Sequence, residues 1–97
     1  MNTRRLIAII SDDETLTGFS LTGLENPKKQ PVFFSVNDET PEEDLLKIYR
    51  DIMARDDVAV LFIADFALAK ISIFLENEPK KLLPSIMEIP SKFGFGI

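Results

Sequence analysis

Three short apolar runs and one weaker one divide the chain. Leu6 to Ile10 is continuous and rich in Ile, too short for a helix and without the alternation of a half-buried strand. That is the pattern of a parallel strand covered on both faces. Val32 to Val36 and Val58 to Ile63 repeat it, and Ser85 to Ile89 repeats it more weakly between Pro84 and Pro90. Proline cannot donate to a central ladder, so these two prolines bracket a last strand of about five residues that stops at a Pro-Ser-Lys turn.

The segments between the runs have helical spacing. The first starts near Asp12, carries Leu16, Phe19, Ser20 and Gly23 along one side, and is stopped by Gly23 and Pro27. The second starts at Thr40-Pro41-Glu42-Glu43, with Thr40 as the cap, proline in the first turn and acids near the positive end of the helix dipole. Its apolar face is Leu45, Ile48, Tyr49 and Ile52. The third, from about Ala64 to Asn77, is apolar nearly all round, with Asp65, Lys70, Ser72 and Glu76 as its polar breaks. One sheet face cannot cover it. This alternation, with the right-handed crossover rule, predicts an α/β fold: a small Rossmann-like or flavodoxin-like four-stranded parallel sheet with helices on both faces. Residues 1–93 are expected to form a single domain and 94–97 a flexible end.

Composition narrows the function more than it defines it. A chain of 97 residues buries only roughly 60 to 65 per cent of its unfolded surface, so its stability margin is small and a partner that covers more apolar area helps. A hydrophobic fraction of 45%, with eight Phe, argues against disorder. The net charge of −5 leaves no basic face for phosphate backbones, and nucleic acid is not an expected partner. Cysteine and histidine are both absent, which removes thiol nucleophiles, thiolate and imidazole metal sites and the usual general base. No apolar run approaches the roughly 20 residues of a membrane span. Met1-Asn-Thr-Arg-Arg-Leu6 leads into a strand rather than a signal peptide, so a soluble cytosolic protein without direct membrane insertion is expected.

Ser11-Asp12-Asp13-Glu14 follows the first strand and so reaches the carboxyl edge of the sheet, where open α/β folds place ligand sites. With Asp65 after the third strand and Lys92 after the fourth, this set has the makings of a receiver-like phosphoacceptor domain: Asp65 as acceptor, Asp12 and Asp13 for a metal, Lys92 for the phosphoryl charge. Asp65, however, runs into Phe-Ala-Leu-Ala without the expected Met-Pro turn and glycine. The plainer reading is that Asp12, Asp13 and Glu14 cap and charge the first helix. Gly18, inside that helix, costs about 1 kcal/mol relative to alanine, and close approach to the sheet or to another chain would account for it. Glu88, between Met87 and Ile89, lies on an edge strand or meets a partner.

Leu6-Ile-Ala-Ile-Ile-Ser-Asp-Asp-Glu-Thr-Leu-Thr-Gly-Phe19, Asp56-Asp-Val-Ala-Val-Leu-Phe-Ile63 and Met87-Glu-Ile-Pro-Ser-Lys92 together resemble the F subunit of the rotary vacuolar-type proton ATPases, over nearly the whole chain. The matching signature positions are Asp12, Asp13, Thr15, Thr17, Gly18, Phe19, Asp57, Glu88, Ile89, Pro90, Ser91 and Lys92. Ser11 departs from the glycine usual in the family, and the chain ends soon after Lys92, where longer members continue into a further helix.

The resemblance implies a noncatalytic component of the soluble sector that needs no cofactor and forms the central rotor shaft with the coiled-coil D subunit. It further implies transient contacts with the catalytic and regulatory subunits of the hexamer during rotation, and a link through the d subunit to the membrane ring. The location it implies is the cytoplasmic face of vacuolar or other endomembranes, as a peripheral part of the complex. Partner contact is expected at Thr17 and Phe19, at Phe66 and Ile73 of the apolar third helix, and at the closing Glu88, Ile89, Pro90, Ser91 and Lys92.

Overall fold

The computed structural model describes residues 4–79 and 82–91. Expectations that fall on Lys92 and on residues 94–97 lie outside them. Seven elements follow one another: β1 (Leu6–Ser11), α1 (Asp13–Ser20), β2 (Phe33–Ser35), α2 (Glu42–Met53), β3 (Val58–Ala64), α3 (Asp65–Leu75) and β4 (Ser85–Ile89). All strand pairs are parallel, in the order β2-β1-β3-β4. This is the flavodoxin-like order without its fifth strand. Each strand sits on one of the four apolar runs.

The chain moves from β1 to β2 in one direction and then through β3 to β4 in the other. Crossovers of one hand therefore put α1 alone on one face, and α2 and α3 together on the opposite face. The main core lies on the two-helix side. Leu6, Ala8 and Ile10 of β1 and Leu61 and Ile63 of β3 pack there with Leu45, Tyr49 and Ile52 of α2 and Phe66, Ala67 and Ile71 of α3. Ile9, also fully buried, stands outside this cluster, as its alternate position toward α1 requires.

The first helix begins as expected, but the second does not. Asp12 is the N-cap of α1, and Gly23, at φ +86°, closes the turn that follows it. At α2 the N-cap is Pro41, with no side-chain cap bond. The Thr40 hydroxyl instead accepts the Asn37 amide at 2.9 Å, so a local turn takes the oxygen that the sequence assigns to the helix. Gly18 is also differently placed: a Cβ built on it meets nothing within 4 Å, so close approach to the chain's own sheet does not explain it.

The amino-terminal edge of the sheet is clasped by arginines. Arg55 pairs with Asp57 at 2.9 Å and donates to the carbonyls of Pro31 at 2.8 Å and Gln30 at 3.1 Å, tying the loop before β2 to the entry of β3. Arg4 donates to the Arg55 and Val58 carbonyls at 3.0 and 2.8 Å. Asp57, a signature position of the resemblance, thus has a structural task. Hydrogen bonding from Arg55 outweighs burial and holds its carboxyl below the usual aspartate value.

Candidate interaction face

Of the acidic edge only Asp12 is buried, while Asp13 and Glu14 are exposed. Asp12 is only 2% exposed and accepts from the Thr15 hydroxyl at 2.8 Å, the Thr15 amide at 3.2 Å and the Ser11 hydroxyl at 3.2 Å. Burial raises its pKa, but these hydrogen bonds outweigh burial and leave it lowered. Ser35 donates to Asp13 across to β2. Asp65 accepts from the Phe66 amide and the Ser91 hydroxyl, each at 2.8 Å, which fastens the turn after β4 to the start of α3. Among the described residues no group of three acidic side chains is arranged to hold a metal ion. The carboxylates act as caps and fasteners, which is the plainer of the two readings the sequence allows.

The unusual feature is on the α1 side of the sheet. Parallel register aligns Ile9 with Phe62 and Phe62 with Met87; Ile7 pairs with Val60, and Ala64 with Ile89. Registered neighbours share a face. α1 reaches this face through Phe19, whose ring stacks on Phe62, and has no buried residue of its own. Beyond that contact, Ile7, Val60, Phe62 and Ile89 are half-buried and Met87 is 53% exposed. Parallel sheets are normally covered on both faces. Here α1 is the only described helix on this face, and the half over β3 and β4 is an open apolar strip.

The residues expected to meet a partner divide between surfaces. Phe19 and Ile89 border the open strip, and Thr17 is exposed on α1. Glu88 pairs with Ile63 and so points to the opposite face, exposed on the edge strand. Pro90 is exposed, Ser91 is held by Asp65, and Lys92 lies outside the described residues. Ile73 is 66% exposed at the end of α3, whereas Phe66, expected as an exposed contact, is in the core at 6%. The core takes Phe66 because the first turn of α3 sits directly against β3. Val60, Phe62 and Met87 are the strip residues that the sequence reading left out. The alternation of Met87 with Glu88 is the one local signal for them, because the rest depends on strand order.

Fold and face together define a small doubly wound α/β domain of flavodoxin-like order that carries an open apolar face. Residues 7–96 match the family model of the ATP synthase (F/14-kDa) subunit. The chain belongs to that family, as an F subunit of the V-type proton ATPase. It is 32% identical over 89 residues to the V-type proton ATPase F subunit of Arabidopsis thaliana, covering 90% of this chain and 69% of the plant protein. It is 31% identical over 90 residues to that of Homo sapiens, covering 91% and 75%. The crystal structure of the V-type ATP synthase F subunit of Archaeoglobus fulgidus shares the fold, with a TM-score of 0.62 and 21% identity over 89% of this chain and 98% of that one.

Proposed function

We propose that this chain is a noncatalytic central-stalk component of the soluble sector, which turns with the coiled-coil D subunit that it binds. The observation that carries this reading is the open strip of Val60, Phe62, Met87 and Ile89. Burying such a side chain from full exposure is worth about 1.5–3 kcal/mol, of which these half-exposed positions leave roughly half or less for a partner to supply, and a domain this small gains proportionately from that cover. A coiled coil is an occupant of the right kind, because it presents a long, stiff face that follows a strand pair. ATP hydrolysis in the hexamer of catalytic and regulatory subunits turns the shaft, and the hexamer touches this chain transiently. The d subunit links the shaft to the membrane ring. No helix among the described residues is long and apolar enough to cross a membrane. The complex is held at the cytoplasmic face of an endomembrane, with this chain as a peripheral part.

Co-expression with the D subunit, then size-exclusion chromatography with light scattering, tests the reading. The expected product is a stable one-to-one complex. A folded monomer that elutes apart from the coiled coil overturns it.

A further inference from the structure

A second surface lies on the other side of the sheet, between α2 and α3. A groove of about 530 Å³ runs there, with Glu39, Glu42 and Glu43 at one end and Leu46, Lys70 and Phe74 along it. Past Phe74 it continues into a hollow of about 540 Å³ bordered by Ile73, Arg50 and Glu78. Glu42, Leu46 and Arg50 stand one turn apart along α2, and Lys70 and Phe74 stand one turn apart along α3. The trough therefore follows α2 for about two turns, roughly 12 Å at 1.5 Å per residue, and α3 for about one.

Its chemistry is graded along that length. The middle is apolar, with Leu46 as floor and Phe74 and Ile73 exposed at 40% and 66%. The far end is closed by the Arg50–Glu78 ion pair at 2.7 Å. At the near end, the Lys70 ammonium donates to the carbonyls of Asp38 at 2.6 Å and Thr40 at 3.0 Å, so it ties down the loop before α2. Among the described residues no cation pairs with the carboxylates of Glu39, Glu42 or Glu43. Three acids against one lysine already engaged leave this end negative, in excess of what the amino-terminal dipole of α2 offsets.

We infer that this groove docks a basic amphipathic helix of another protein, with apolar anchors against Leu46, Ile73 and Phe74 and lysine or arginine over Glu39, Glu42 and Glu43. Helix-in-groove recognition uses anchors one turn apart, which is the spacing the trough offers. An extended strand finds no ladder here, because the backbone groups of two helix flanks are bonded internally. A second copy of this chain would bring the same net charge of −5 against the acidic end. The groove and the open strip lie on opposite faces of the sheet, so the two can be occupied together and tested apart.

The test uses a labelled synthetic helix of about eighteen residues, long enough to be helical when docked. It carries leucines one turn apart and lysines at one end, and binding is read by fluorescence anisotropy. Saturable binding is expected, falling at least tenfold in Glu39→Lys/Glu43→Lys and in Ile73→Glu, declining with salt, and unchanged in Met87→Glu. All three variants alter only exposed positions, and circular dichroism verifies that each variant is folded. Four outcomes overturn the inference: no saturable binding to the folded chain, equal binding by the charge-reversed variant, equal binding of a probe with glutamate in place of lysine, or self-association of the chain through this groove.

Discussion

The rings of Phe19 and Phe62 are stacked, with centroids 5.8 Å apart and planes inclined by 18°. This contact divides the α1 side of the sheet. Toward β1, Ile9 is fully covered; toward β4, Met87 is largely bare. Because α1 has no buried residue, the stack is one of its anchors to the sheet, beside the Ser35–Asp13 bond to β2. Phe19→Ala is expected to lower unfolding stability by about 1–2 kcal/mol, combining the lost stacking with part of the lost burial. Phe19→Leu is expected to recover part of that. Urea unfolding of the two variants measures both.

The cap at Asp12 gives a prediction in pH. Asp12 and Asp57 both have folded-state pKa values below the ordinary aspartate value. Each therefore contributes stability that is fully present above about pH 4, near the unfolded pKa, and is lost as pH falls through the depressed folded value. Asp12→Asn keeps a capping oxygen but cannot titrate, so its unfolding midpoint is expected to fall less steeply between about pH 4 and about pH 2 than that of the unaltered chain. Asp12→Ala is expected to cost about 1 kcal/mol at neutral pH through loss of the cap itself. Thermal unfolding across the pH range separates the two effects.

Gly18 costs the helix stability without any close neighbour among the described residues to require it. Gly18→Ala is expected to stabilise the isolated chain by about 0.5–1 kcal/mol. If the same variant binds the D subunit less well, the glycine is accounted for by close approach of the partner to α1. Comparing its unfolding with its association answers both questions.

The strands and their parallel arrangement were legible because continuous Ile and Val runs, separated by helical segments, admit few right-handed arrangements; their order was not, because Rossmann-like and flavodoxin-like sheets share that pattern. The acid cap at Asp12 was legible for the same local reason. Thr40 was misread because the Asn37 turn competes for the same hydroxyl, and a sequence shows both bonds as available. Phe66 and Ile73 show a different limit. Seven residues apart, they fall on nearly the same side of α3, yet one is in the core and the other is exposed. Burial here depends on position along the axis relative to the neighbouring elements, which a helical wheel does not carry. The open strip was hidden for a similar reason, since it joins residues of β3 and β4 through register alone.

The most direct test of the account is the affinity of this chain and of its Met87→Glu variant toward the D subunit, measured by titration calorimetry. Met87 is exposed, so the substitution leaves the fold intact, and urea unfolding of the variant verifies this. A charge on the open strip is expected to weaken the complex at least tenfold, because it must be desolvated beneath the partner. Equal affinity of the two chains would contradict the placement of the coiled coil on this face.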